Sequence, residues 1–392
     1  MSDQAMAPKW KQLLMLDTPQ AREGCIWVHA CSVGEVGSVV PLIRRFLSAG
    51  QGVHLTVVTN TGFEHARRLL GDRVSLAFLP WDLPGLMRRY VLHLQPRLLV
   101  LTETEFWPGM LSACHAAGVP IISVNTRISD RSFPRYRATR WLWRRALNKA
   151  ELFLPASRLD ADRLRELGVE NHRIRLVGNL KYAVTPPDVD ALSLRRRIDP
   201  SQARPILLLA STHEDEERRV LNMMPAWRQF CPELLVVVVP RHPERFERVA
   251  ELVREQGLRL HCWSQGESPV GVDVLLVDAM GQLAILYAVA DLVFIGGSLV
   301  DIGGHNPLEA AVCGRGVVTG PFVQNFREIM HELVMQGAAV IGRSDDEVED
   351  IIKRWLEHPE ELQALHASAA AFMQEQRDVL DRIWAEMALR LA

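Results

Sequence analysis

Short apolar runs, largely uninterrupted by polar residues, limit what this chain can become. In the first half they are IWVHA (26–30), HLTVVT (54–59), VSLAFL (74–79), RLLVLT (97–102), PIISVN (120–125), ELFLP (151–155) and IRLVG (174–178). In the second half they are ILLLAS (206–211), LLVVVV (234–239), LRLHCW (258–263), VDVLLVD (272–278), LVFIGG (292–297), GVVTG (316–320) and AAVIG (338–342). Most lack polar alternation, as strands do when both faces of a parallel sheet are covered. Amphipathic stretches lie between them, such as VVPLIRRFLSAG and HARRLLG, each closed by a glycine suited to a helix end. A Pro- and charge-rich segment, 182–205, separates the two halves. The reading is α/β, with two doubly wound domains. The first spans 1–185, a linker region 186–204, and the second 205–392 with a helical tail from about Asp346. In such sheets ligands bind beyond the carboxyl ends of the strands, so the strand-to-helix loops are where chemistry is expected.

Charge divides between the same halves. Residues 1–190 hold 25 Lys/Arg and 17 Asp/Glu, a balance of +8; residues 191–392 hold 20 and 30, a balance of −10. An anionic partner therefore suits the first half better. Six cysteines form no C-x-x-C pair, which fits a reducing compartment rather than a disulfide framework. No apolar run approaches the roughly 18–20 residues that span a bilayer. The opening MSDQAMAPKWKQLLML has too short an apolar stretch for a signal peptide. A cytosolic or membrane-touching protein is expected.

Six loops carry candidate chemistry. In HACSVGEVGS (29–38), Ser32 and Glu35 have capping-box spacing. Glu35 is either a cap or a general base, and Gly34 and Gly37 would let a sugar approach the backbone. No G-x-G-x-x-G follows any strand, which argues against a nicotinamide dehydrogenase. In LTETEFWPG (101–109), Glu103 and Glu105 would share one face of a strand, a crowding suited to a polar substrate. Residues 125–149 hold eight basic residues, among them Arg127 and Arg131, against one acid, Asp130. Trp141, Leu142, Trp143 and Leu147 are interleaved, so the stretch suits an anionic membrane or a phosphorylated lipid; nucleic acid, or a solvated helix with inward tryptophans, are the other readings.

The second half adds ASTHEDEE (210–217), where Ser211 and Glu214 repeat the capping-box spacing and Thr212 and His213 would face an anion at a helix start. Arg241 and His242 follow an apolar strand, and a guanidinium there fits a phosphate. In FIGGSLVDIGGHNPLEAAVCG (294–314), Asn306, Pro307 and Glu309 fit the N-cap, N1 and N3 positions of a helix beside a glycine-rich loop. No group of His, Cys or Asp has zinc or calcium spacing. A departing phosphate would then be neutralised by Arg241, helix amides and Lys181.

In this order, the motifs WVHACSVGE, LTETEFWP, NTRISDRS, GNLKY, ASTHEDEE, VPRHPERF, DAMGQL with Tyr287, and GGSLVDIGGHNPLEAA followed by GPFVQNF span residues 27–327. Jointly they resemble the 3-deoxy-D-manno-octulosonate (Kdo) transferases of lipopolysaccharide assembly. The resemblance implies GT-B glycosyltransferase architecture, with two Rossmann-like doubly wound domains facing a cleft, acceptor domain first and nucleotide-sugar domain second. It implies metal-independent, inverting transfer of Kdo from CMP-Kdo to a lipid A precursor, lipid IVA, with Glu35 as base and no cofactor. The acceptor set would be Ser32, Gly34, Glu103, Glu105, Arg127 and Arg131. The donor set would be Lys181, Ser211, Thr212, His213, Arg241, His242, Met280, Gly281, Gly303, Gly304, His305, Asn306 and Glu309. The expected place is the cytoplasmic face of the inner membrane, held peripherally through residues 127–149 and apolar residues near Trp10, with no nucleic acid partner.

The chain departs from that family in several places. The opening residues show no apolar anchoring segment, so attachment is expected through the basic-aromatic stretch and residues near Trp10, or the chain start is incomplete; Gln282 stands where a glutamate is expected, Ala183 where an aspartate is, and Phe322 where histidine or tyrosine is more usual. Two other functions fit the same plan. One is another lipid-linked glycosyltransferase or a nucleotide-sugar epimerase. The other is a catalytically silent lipid- or nucleotide-binding protein.

Overall fold

The computed structural model describes residues 9–18, 23–268 and 270–388. Its strands are β1 (Ile26–His29), β2 (Val53–Val57), β3 (Ser75–Phe78), β4 (Leu98–Thr102), β5 (Ile121–Thr126), β6 (Leu152–Pro155), β7 (Ile206–Thr212), β8 (Leu235–Pro240), β9 (Leu260–Cys262), β10 (Val274–Leu276), β11 (Leu292–Ile295), β12 (Val317–Thr319) and β13 (Ala339–Ile341). They form two wholly parallel sheets, in the orders β3-β2-β1-β4-β5-β6 and β13-β12-β11-β7-β8-β10-β9. Each is a Rossmann-like doubly wound sheet, the pair of domains that makes GT-B architecture.

The strand side chains explain the layering. Ile26 and Val28 of β1 enter one core, while Trp27 between them enters another. Leu98 and Val100 against Leu99 and Leu101 do the same on β4, and Leu152 and Leu154 against Phe153 on β6. With period-2 side chains and both faces apolar, each face must be covered by helices. In the second sheet Leu207, Leu209, Val236, Val238 and Phe294 share one core with Trp227 of the helix Glu216–Phe230.

Of the strands expected from sequence, 174–178 is not one. Ile174 makes a single bridge to Phe153, and no further ladder follows. Chain allotment also differs from the reading. The chain forms two compact units, one holding residues up to Ala183 together with the segment from Gln376 on, the other Val184–Glu375. The final helix, Val379–Ala388, buries Val379, Ile383 and Met387 in the first domain's core, not the second's. Trp384 packs on Phe46 with ring centroids 5.4 Å apart. Arg382 donates to the Val177 carbonyl at 3.0 Å. Much of the expected linker is built into the second domain. The helix Ala191–Ile198 buries Leu194 and Ile198, and Arg195 donates to the Val289 carbonyl and to Asp291.

Candidate active site

The strand order reverses between β1 and β4 in the first sheet and between β7 and β11 in the second. Crevices at such reversals are where doubly wound sheets hold ligands. Three non-glycine residues with left-handed backbone, Glu103, Asn125 and Ser211, lie at the carboxyl ends of β4, β5 and β7. Strain of that kind persists only where the surroundings enforce it.

In the first domain, β1 leads through Cys31 and Ser32 into the helix Val33–Ser48. Ser32 is its N-cap, and Ser32 Oγ donates to Glu35 Oε1 at 2.9 Å. Glu35 Oε2 accepts the Cys31 amide at 2.8 Å, and Thr102 Oγ1 stands 3.2 Å from it and 2.9 Å from the His29 carbonyl. Glu35 is therefore both cap and clamped carboxylate, 9% exposed. Burial raises its carboxyl above the usual range; the Cys31 amide and Ser32 hydroxyl pull it down, and the charges of Glu105 and Glu103 push it up. A carboxylate raised in this way holds a proton more readily than a solvent-exposed one.

Glu103 and Glu105 do not share a strand face, because β4 ends at Thr102 and Glu103 turns left-handed. Glu103 pairs with Lys181 at 3.2 Å. Glu105 accepts the Trp107 indole N–H at 2.8 Å and lies 3.5 Å from Nε2 of the fully buried His29. Nδ1 of His29 sits 3.0 Å from the Thr56 hydroxyl and 3.1 Å from the Thr56 carbonyl. Ligand atoms of Cys31, Glu35 and Glu105 lie within 4.8 Å of one another, a grouping that sequence spacing does not reveal. Burial, then Glu105 and Glu35, pushes the Cys31 thiol up to about 12, so it is no thiolate. Gly34 is exposed with open space where a side chain would stand. Arg127 is half-buried, its carbonyl accepting the Thr104 hydroxyl, and Arg131 is exposed.

In the second domain the expected Ser211–Glu214 capping box is absent. Glu214 is exposed, 3.7 Å from Arg245. The helix begins at Glu216, whose fully buried carboxylate accepts the amides of Gly297 (2.7 Å), Ser298 (3.0 Å), Leu299 (2.9 Å) and His213 (3.2 Å). One side chain thus ties the loop after β7 to the loop after β11. Thr212 is turned inward, donating to buried Glu217 at 3.1 Å.

His213 Nε2 and His305 Nε2 are 2.8 Å apart with rings nearly parallel, and His242 meets His213 edge-on at 5.3 Å. Gly297, at φ +66°, leaves the space: a Cβ there would come within 3.2 Å of His305. Burial, then His213, Arg241 and His242, lowers His305 to about 4. Burial, then His242, Arg241 and Arg245, lowers His213 as well. Both rings are therefore neutral, with one N–H between them. Arg241 is exposed, and its charge pulls down the Glu309 carboxyl that burial raises.

Gly303 and Gly304 both have positive φ, and a Cβ on Gly303 would meet the Asn325 side chain at 2.6 Å. Asn325 donates to the Ile302 carbonyl, closing the glycine loop. Asn306 Oδ1 accepts the Leu308 amide at 3.1 Å, but the N-cap position falls on Pro307, one residue later than the sequence spacing suggests. The helix it starts is one turn, Leu308–Ala311, too short for a sizeable dipole. Met280 and Gly281 are exposed. Glu216 and Asn325 were not singled out from sequence; each reads there as an ordinary polar residue.

Comparison with known proteins decides the family. The family described as "3-Deoxy-D-manno-octulosonic-acid transferase (kdotransferase)" matches residues 8–184. The 3-deoxy-D-manno-octulosonic acid transferase of Haemophilus influenzae is 34% identical over 367 residues, 91% of this chain and 85% of that one. This chain belongs to the Kdo transferase family. Among solved structures, the C-terminal CMP-Kdo binding domain of WaaA from Acinetobacter baumannii is 34% identical, covering 47% of this chain and 96% of that one, with TM-score 0.44. UDP-GlcNAc 2-epimerase from Neisseria meningitidis, bound to UDP-GlcNAc, covers 93% of this chain and 99% of its own with TM-score 0.57 at 11% identity, a likeness of fold alone. As a Kdo transferase the chain is a glycosyltransferase, and the silent-homologue and epimerase readings lose their ground.

Proposed function

We propose that this Kdo transferase moves Kdo from CMP-Kdo to a hydroxyl of lipid IVA, with inversion and without a metal. The first domain would take the acceptor and the second the donor. The observation that supports this most is Glu35, a nearly buried carboxylate tied by the Cys31 amide and the Ser32 hydroxyl at the strand-order reversal of the first domain. Glu35 accepts the acceptor hydroxyl proton as that oxygen forms its bond to the ketosidic carbon. The bond from that carbon to the cytidylate phosphate breaks, and the electron pair leaves with CMP. One base and one displacement give inversion without an enzyme-bound sugar.

Arg241 is a cation whose charge reaches His213, His305 and Glu309, and is the group to meet phosphate charge in the second domain. Lys181 pairs with Glu103 in the first domain, so its service to phosphate would cost that ion pair.

The enzyme would work peripherally at the cytoplasmic face of the inner membrane. No helix among the described residues is long and apolar enough to cross a membrane. On the helix Arg140–Leu147, Trp141 is 78% and Leu142 48% exposed beside exposed Arg140, Arg144 and Arg145. Exposed aromatic and cationic side chains together suit an anionic interface. The deciding experiment is a mass-resolved assay with CMP-Kdo and tetraacyl lipid A precursor in EDTA, with UDP-sugars in parallel. A Kdo adduct is expected from CMP-Kdo alone; no adduct, or one dependent on added metal, would overturn the reading.

A further inference from the structure

A cavity of about 360 Å³ runs between the helices Pro84–Leu94 and Pro108–Ala116 in the first domain. Small residues open it: Gly109, Ala113 and Ala116 on one helix face Val91 and Leu92 on the other. Gly109 has no freedom to grow, since a Cβ there would stand 2.6 Å from Asp82 Oδ1. Asp82 holds this end of the groove by accepting the amides of Gly109 (2.8 Å) and Met110 (2.7 Å).

That end lies at the start of the helix that follows β4, the strand beyond whose last residue stand Glu103 and Glu105. The helix Pro108–Ala116 follows Trp107, whose indole donates to Glu105. Exposed Trp81 and Leu83 flank the same end. From Gly109 to Ala117 the groove extends eight residues of helix, roughly 12 Å. Its rim is cationic: Arg88 is exposed, and Lys149 donates to Ser112, a lining residue, with Arg145 close by. A ligand matched to this arrangement has a phosphorylated polar head at the strand ends and a flexible hydrocarbon tail.

We propose that this groove binds one acyl chain of the lipid acceptor and so helps to set the acceptor head beside Glu35. This rests on the transferase reading above. An apolar channel leading away from the carboxylates, rimmed by cations, has no use for a soluble sugar phosphate.

The test compares kcat/KM for tetraacyl lipid A precursor with that for its fully deacylated phosphodisaccharide, using the full chain. Ala116→Trp fills the groove and Leu92→Glu charges its wall; both positions are exposed, so folding is not at stake. Each substitution should lower the acylated-to-deacylated ratio about tenfold, equivalent to losing two buried methylenes. A ratio unchanged in both variants, with wild type active, overturns the groove and leaves the transferase reading standing. An equal loss of sedimentation with phosphatidylglycerol vesicles lacking acceptor would also overturn it, by making the groove a general membrane contact. Wild type inactive on both acceptors overturns both readings.

Discussion

Thr102 Oγ1 stands 3.2 Å from Glu35 Oε2 and 2.9 Å from the His29 carbonyl, so one hydroxyl joins the end of β4 to its neighbouring strand and to the helix that follows. Fixed this way, Glu35 has two separable uses. Loss of a cap costs roughly 0.5–2 kcal/mol of stability, whereas loss of a general base costs about 10²–10⁴ in rate. Glu35→Gln should fold nearly normally and transfer at no more than about a hundredth of the wild-type rate. Turnover followed by mass spectrometry, beside a melting curve, separates the two. Retention of a third of the activity would leave Glu35 a cap only.

Neighbouring charge should tune that base. After burial, the negative charge of Glu105 helps to raise the Glu35 carboxyl. Glu35 must be ionised to accept a proton, so activity climbs as pH rises through its titration. Glu105→Gln removes a raising influence, and the acid limb of the kcat/KM profile should move to lower pH. A limb that moves to higher pH would contradict this electrostatic account, whatever happens to the maximum rate.

His305 should make the second domain acid-sensitive. Its folded titration lies near 4, below the ordinary 6.5, mainly through burial. Between those values the unfolded chain binds more protons than the folded one, so stability present above 6.5 is lost as pH falls towards 4. Denaturant midpoints measured across this interval should decline in wild type and decline less in His305→Asn. Parallel slopes in the two proteins would rule the imidazole out.

Glu216 should matter more to stability than its place in an acidic run suggests. Its removal strands four buried or half-buried amide donors. Glu216→Ala should cost roughly 3–5 kcal/mol, the scale of breaking a satisfied buried charge network. Chemical denaturation checks it; a loss under about 1 kcal/mol would mean that water replaces the carboxylate.

The exposed helix Arg140–Leu147 leads to a salt-dependent expectation. Replacing Arg140, Arg144 and Arg145 by glutamine should weaken sedimentation with anionic vesicles, most at low ionic strength. Equal sedimentation at every salt concentration would remove this helix from the membrane-facing surface.

Strands were the most legible part of this chain, because a buried parallel strand must be apolar on both faces, as Leu98–Leu101 is. Ile174 misled for the same reason: an apolar run shows willingness to be buried, not a partner to pair with. Glu35 stood out through its spacing from Ser32, a local relation that survives in the fold. Glu216 did not, since three of the four amides that define its role lie more than eighty residues away. His213 and His305 are likewise 92 residues apart, and only the sheet order makes them neighbours. Helicity of the tail is evident in its pattern, but which core its apolar stripe joins is a tertiary matter.

That tail has a bearing on synthesis. Val379, Ile383 and Met387 complete a core begun by Ile26 and Val28. A ribosome releases the last of these side chains only after the whole second domain has been made. The leading domain must therefore wait, with a hydrophobic seam open, while the trailing one can already close. Such a nascent chain has reason to lean on chaperones, and a tag or truncation at its far end would injure the lobe that was translated first.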